Sequence, residues 1–289
     1  MTEILITGGA GNFGRTLAQA LREKGYALRL LDLPDRDFSF CADWGGCRVF
    51  KADILDPVGM APAVSGVDWV FHLAAILPPA SEKDRDRTFL INAEGTRRLL
   101  KACAKADIPP KVVLASSISV YGDTSAESDL ITPDHPVNPN DWYAASKVEA
   151  EGILQVSGLP WINLRIAAVV IPEFLDPPDQ WPFMAEQRIE LIALADLIQA
   201  LANLVETPEA LDRTLIISGG PEWRMTGADY VRRWAEVMDI PFDEMNFLDR
   251  PGWLNWYDTA ASQALLNYQH TTRDEFFRQL GQAVAEALA

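Results

Sequence analysis

The stretch "ITGGAGNFG", residues 6–14, decides the fold. Its glycines Gly8, Gly11 and Gly14 recur every third position, after the apolar run "EILIT" (3–7) and at the start of a helix-length segment. Glycine at such spacing permits a tight strand-to-helix turn, lets the backbone approach a pyrophosphate, and lets helix and strand pack closely. The amides at the helix start, around Asn12, Phe13 and Gly14, then face the anion. Position makes the triplet informative, because it follows a strand and opens a helix.

Outward from this loop, short apolar runs alternate with helical segments. The runs are "ALRLLD" (27–32), "CRVFKA" (47–52), "DWVFHLA" (68–74), "KVVLASS" (111–117) and "WINLRIA" (161–167). Strands that are apolar along their length are buried on both faces, as in a parallel sheet covered by helices. The rhythm predicts an α/β fold with a doubly wound parallel sheet. It breaks near residue 171, where "IPEFLDPPDQWPF" carries Pro172, Pro177, Pro178 and Pro182 and suits neither a regular helix nor a central strand. A helix is predicted over roughly 189–205, a strand at "TLIISGG" (214–220), a helix opening near Thr226, and a last helix from about Thr272.

Asp32 ends the second strand. A carboxylate there accepts hydrogen bonds from adenosine ribose hydroxyls and repels a 2'-phosphate, so NAD is expected rather than NADP, with nearby Arg36 the competing feature.

The chain has 289 residues, 48% hydrophobic and 23% charged, with a formal net charge of -16. Such acidity argues against a nucleic-acid partner, and an anionic substrate would need local Arg or Lys. No apolar run approaches a membrane span, the N-terminus does not resemble a signal peptide, and Cys41, Cys47 and Cys103 form neither a disulfide framework nor a zinc pattern. A cytoplasmic protein with reduced thiols, no bound metal and no membrane contact is the expectation.

"NDWYAASKVEAE" (140–151) is open to two readings. It is a helix start capped by Asn140 or Asp141, and it sets Tyr143 and Lys147 one turn apart. A free Tyr, with a pKa near 10, is a poor base at neutral pH; a cationic Lys beside it favours the phenolate.

Glycine loop, Asp32, "SSISVYG" (116–122) and YxxxK, in this order, resemble the extended short-chain dehydrogenase/reductase family, the NAD-dependent epimerase/dehydratase branch. The resemblance covers most of the chain. It implies a Rossmann domain over 1–170, with 189–217 returning to it, and a small C-terminal substrate-binding lobe from 171–188 and 218–289. It places Asp53 and Ile54 of "ADIL" beside adenine, and sets "HLAA" (with Leu73, Ala74 and Ala75), Asn92 of "INAEGT" and Ile166 against the cofactor. Catalytic roles fall on Ser117, four residues before the Tyr of "VYG", and on Tyr143 and Lys147, which also touch the cofactor. Ser116 and Ser119 have weaker claims, and His72 is read as a packed, hydrogen-bonded residue.

Two departures narrow the reaction. Family dehydratases carry an Asp-Glu pair where this chain has Ile118 and Ser119, which argues against sugar dehydration. "LRIAAVVIP" lacks the Asn and Tyr-Gly of nucleotide-sugar members, and the insert at 172–188 is short. Arg188, Arg224 and Arg250 are candidate cations for an anionic substrate. Trp181, Phe183, Trp223, Trp253, Trp256 and Tyr257 are either lobe packing or a wall over the nicotinamide. The leading expectation is an NAD-dependent oxidoreductase acting on a small alcohol, sugar or carbonyl compound. An epimerase with retained NAD is the alternative, and a non-catalytic dinucleotide sensor a third reading. The resemblance also implies a homodimer paired through helices containing residues 85–106 and 142–156.

Overall fold

The computed structural model describes all 289 residues. In chain order the first half comprises β1 (Glu3–Thr7), α1 (Asn12–Glu23), β2 (Ala27–Asp32), β3 (Cys47–Lys51), α2 (Pro57–Val64), β4 (Trp69–His72), α3 (Arg85–Phe89), α4 (Gly95–Cys103), β5 (Lys111–Ser117) and α5 (Trp142–Gln155). A wide π turn, Leu90–Glu94, joins α3 to α4. The second half comprises β6 (Trp161–Ile166), β7 (Ala168–Val170), β8 (Arg188–Ala193), α6 (Leu194–Asn203), β9 (Arg213–Ile217), β10 (Arg224–Thr226), α7 (Gly227–Met238), α8 (Ala260–Leu266) and α9 (Arg273–Leu288).

Seven strands form one parallel sheet in the order β3-β2-β1-β4-β5-β6-β9. Alternation along each strand serves two cores. Ile4, Ile6, Phe71 and Val113 face the core shared with α1 and α6, whereas Leu5, Val70, Val112 and Leu114 face the core shared with α2, α4 and α5. Side chains buried on both faces explain why these strands read as unbroken apolar runs; each contributes about 1.5–3 kcal/mol by leaving water. The strand order reverses between β1 and β4, so a crevice opens at their carboxyl ends, where ligands bind in doubly wound sheets.

Local capping sets the helix starts. Asp141 caps α5 by accepting the Ala144 amide at 2.7 Å, Thr226 and Asp229 form a reciprocal box on α7, and Thr272 caps α9. One boundary differs from the sequence-based expectation. Residues 188–193, "RIELIA", are a strand, and the helix begins only at Leu194. β8 pairs with β7 in parallel and with β10 antiparallel, forming a second, three-stranded sheet. Its partners lie far along the chain, so no local pattern announces it.

No helix is long and apolar enough to cross a membrane. The three cysteines are free thiols.

Candidate active site

A cleft of about 890 Å³ runs along the carboxyl ends of β1, β4, β5 and β6. At one end the glycine loop turns into α1. Gly8 has φ +72°, and a Cβ there would lie 2.9 Å from the Ala74 amide nitrogen; a Cβ on Gly14 would collide with the Gly8 carbonyl oxygen. Larger residues at either position would push the loop from the strands behind it. Gly11 at the N-cap offers no side chain, so the first-turn amides of α1 have no internal cap and face the cleft, as an anion-binding helix start requires.

Asp32 is held to this loop. Its carboxylate accepts the Ala10 amide at 3.0 Å and the Leu33 amide at 2.8 Å, leaving lone pairs for a further donor. Arg36, exposed, lines the same end. Asp53 and Ile54 form the adjoining wall; the Asp53 side chain accepts the amide of Leu55 at 2.8 Å.

Asn12, Phe13, Leu73, Ala74, Ala75 and Ile166 also line the cleft, but Asn92 does not. Asn92 is buried behind the wall. Its amide oxygen accepts Ile76 N at 2.7 Å, and its nitrogen donates to Ile76 O at 3.0 Å and to Ser146 Oγ at 3.0 Å. These bonds brace the segment after β4.

A buried polar chain supports the same wall. Thr96 Oγ1 donates to Asn92 O at 2.6 Å and therefore accepts from His72 Nε2 at 2.9 Å. His72 Nδ1 then accepts from Thr7 Oγ1 at 2.7 Å, and Thr7 Oγ1 in turn accepts the Ala74 amide at 3.3 Å. The bonds fix the neutral Nε2–H tautomer. Burial, and next the Lys147 charge, push the His72 pKa down to about 3.

At the other end of the cleft β5 delivers Ser117, and α5 delivers Tyr143 and Lys147. Ser117 Oγ accepts from Ser119 N at 3.1 Å and Ser119 Oγ at 3.0 Å, so its own hydrogen is free to donate into the cleft. It lines the same end of the cleft as the Tyr143 phenol. Ser116 donates to Glu151 Oε1 at 2.5 Å. The Lys147 ammonium, buried, donates to Ala115 O at 2.8 Å and lies 5.7 Å from the Tyr143 ring centroid. Burial pushes the Tyr143 phenol up, the neighbouring Ser117 hydroxyl opposes this, and the Asp141 charge adds to it. Burial also lowers Lys147 to about 8, opposed by the Glu151 carboxylate one turn on. Behind them Arg165 grips Glu151 through Nε at 3.1 Å and Nη2 at 2.7 Å, and donates to Tyr121 Oη at 3.0 Å.

The aromatic residues divide. Trp181 packs with Phe183, Tyr230 and Trp234, at ring separations of 5.4–5.9 Å, and Trp223 with Phe276. Trp256 lies under Arg188, and Tyr257 is buried; Trp253 alone of the six lines the cleft. Arg188 and Arg224 are engaged elsewhere, Arg188 with Ser128 O and Arg224 with Glu190 and Tyr257 O. Sequence reasoning missed Arg87 as a cleft residue and named Asp141 only as a helix cap. For Arg87 the available signal was its i,i+4 spacing to the apolar Ile91, hidden in the charged run "SEKDRDR".

The family model described as NAD dependent epimerase/dehydratase family matches residues 4–212. The chain belongs to that family. D-erythronate dehydrogenase of Cupriavidus necator is 32% identical over 182 residues, 56% of this chain and 56% of that protein. The chain spans about half the length of the curated relatives it matches. Similar solved structures include a short-chain dehydrogenase/reductase superfamily protein from Agrobacterium tumefaciens with bound NAD. It has a TM-score of 0.82 and 23% identity, covering 99% of this chain and 98% of that one. UDP-glucuronic acid 4-epimerase from Bacillus cereus in complex with NAD has a TM-score of 0.80 and 22% identity, with full coverage of both chains. At these identities the likeness shows the fold.

Proposed function

We propose that the protein is an NAD-dependent oxidoreductase that transfers hydride between NAD and a small alcohol, sugar or carbonyl compound through Ser117, Tyr143 and Lys147. The observation that carries this reading is the convergence of those three side chains on the cleft that begins at the glycine loop. The uncapped start of α1 suits a pyrophosphate and Asp32 a ribose diol, while Gly14, where a Cβ would strike the Gly8 carbonyl oxygen, lets α1 pack closely against the loop.

When bound, NAD supplies the hydride acceptor and a positive charge beside the phenol. Tyr143 takes the hydroxyl proton during oxidation and returns it during reduction. In the protein alone burial keeps the proton on Tyr143. The Lys147 cation works against that burial and favours the phenolate. Ser117, its lone pairs occupied by Ser119, donates to the reacting oxygen and holds it near Tyr143. Residues 171–188 and 218–289 form the substrate-binding lobe in this reading, with Trp253 its contribution to the cleft.

An epimerase would use the same three side chains. The short segment between β7 and β8 and the engaged Arg188 and Arg224 favour a small substrate over a nucleoside diphosphate. Mixing enzyme and NAD with an alcohol and sugar panel separates the readings by absorbance and product stereochemistry. Net NADH is the expected result. Inversion of a sugar carbon without net NADH marks the epimerase, and tight NAD binding with neither outcome contradicts both.

We further propose a homodimer through the α3–α4 and α5 helices, supported by the exposed Leu90 and Trp142 on those segments. Light scattering at micromolar concentration is expected to give twice the chain mass; a monomer contradicts it.

A further inference from the structure

Three cationic side chains line the cleft: Arg36, Arg87 and Lys147. Lys147 is committed to Ala115 O beneath Tyr143, and Arg36 lies at the Asp32 end. Arg87 remains. Its guanidinium has no ion-pair or hydrogen-bond partner, although Glu82, Asp84 and Asp86 surround it in sequence. Those carboxylates are occupied. Asp84 caps α3 through the Arg87 backbone amide, Asp86 pairs with Arg85, and Glu82 accepts the amides of Trp142 and Tyr143.

The position of Arg87 follows from the same contacts. Glu82 ties the segment leading into α3 to the first turn of α5, the turn that carries Tyr143, and α3 packs on α5. Arg87 is therefore on the Tyr143 side of the cleft. Ile91, one helical turn further on, and Leu77 and Pro78 line the cleft with it. Arg87 is exposed at the edge of the cleft, and in a chain of net charge -16 its unpaired guanidinium is available to an anion. One planar fork matches one carboxylate, while a diphosphate would call for several cations, and Arg188 and Arg224 are spent elsewhere.

We propose that Arg87 binds a carboxylate on the substrate, so that the enzyme acts on hydroxy acids, sugar acids included, in preference to neutral alcohols. This rests on the oxidoreductase reading above and names its substrate class. The carboxylate stays unchanged throughout; the hydroxyl-bearing carbon loses hydride to NAD and its oxygen loses the proton to Tyr143.

The test compares wild type, Arg87→Met and Arg87→Lys on matched probes, D-erythronate against erythritol and D-glucuronate against D-glucose. The Kd for NAD is measured in parallel, together with calorimetric binding of each probe to the NAD-loaded protein. Wild type is expected to bind and oxidise at least one acid better than its neutral counterpart. Arg87→Met is expected to raise KM for that acid about ten- to hundredfold, the worth of a charge-assisted hydrogen bond, with kcat and the Kd for NAD little changed. Arg87→Lys is expected to recover part of the loss. Equal use of acid and neutral probes by wild type overturns the proposal while leaving the oxidoreductase reading intact. A weakened Kd for NAD in Arg87→Met overturns it by assigning Arg87 to the cofactor phosphates. No calorimetric binding of either acid also overturns it. Acid binding without hydride transfer would count against the oxidoreductase reading alone.

Discussion

The carboxylate of Glu82 accepts the backbone amide of Tyr143 at 2.9 Å and that of Trp142 at 3.0 Å, so a residue far back in the chain caps the helix of the acid/base group. Two of the orphan amides of α5 are satisfied from outside the helix, beside the internal cap from Asp141. Glu82→Ala is expected to cost about 1 kcal/mol, the usual worth of a cap, and to lower Tm by a few degrees. Turnover should fall more than NAD affinity, because the first turn carries Tyr143 and not the glycine loop. Unchanged kcat in Glu82→Ala would show that the turn is held by Asp141 alone.

Glu151 and Arg165 form a buried pair with side-chain exposures of 5% and 8%. Removing one partner leaves an uncompensated charge, so Arg165→Met is expected to destabilise by about 3–5 kcal/mol, whereas an apolar replacement of both is expected to recover much of that. Urea denaturation of Arg165→Met, Glu151→Met and the double variant reads the difference. A double variant as unstable as the sum of the singles would contradict this account of the pair.

His72 gives the fold a pH dependence of predictable sign. Its folded pKa is near 3, pushed down by burial, against an ordinary value of 6.5. Between those values the unfolded chain binds the extra proton, so stability is fully present above about pH 6.5 and is lost as pH falls towards 3. Protonation at Nδ1 would also cost the bond from Thr7, with Lys147 adding repulsion. His72→Gln is expected to be less stable at pH 7 but flatter across that window, as read by denaturant midpoints at several pH values. An equally steep acid limb in the variant would place the dependence on other groups.

Asp32 bears on cofactor choice. Its carboxylate is fixed by the Ala10 and Leu33 amides, and in the proposed reading a carboxylate at this strand end repels a 2'-phosphate. Wild type is expected to bind NAD more tightly than NADP. Asp32→Asn is expected to narrow the ratio at least about tenfold, because juxtaposed like charges cost several kcal/mol and exposed Arg36 then meets the phosphate unopposed. Equal NAD and NADP affinity in wild type would contradict the reading.

The parts of the fold readable along the chain are those whose cause is local. β1, β2 and β5 appear as apolar runs because both faces of each are covered, and α7 and α9 start at Thr226 and Thr272 because those hydroxyls cap them. The glycine loop is legible because close approach leaves no room for a side chain at Gly14. β8 reads as helix along the chain because "RIELIA" runs into "LADLIQALAN" without a breaker, and its strand character comes from β7 and β10. Asn92 shows the same limit, since only the folded chain reveals that Ile76 and Ser146 claim its amide. Arg87 is the reverse case: its neighbours suggest a solvated ion pair, and their separate commitments leave it free in the cleft.

The central claim is that Tyr143 moves the proton while Lys147 and Ser117 adjust and orient it. Tyr143→Phe keeps the ring that Lys147 packs against and removes only the hydroxyl. The most direct measurement is kcat for NADH formation by Tyr143→Phe on the best substrate of the panel, beside the Kd for NAD of the same protein. The account predicts a Kd close to wild type and a loss of at least about a hundredfold in kcat, the lower end of a general acid–base contribution. Near-normal turnover with intact NAD binding would contradict it.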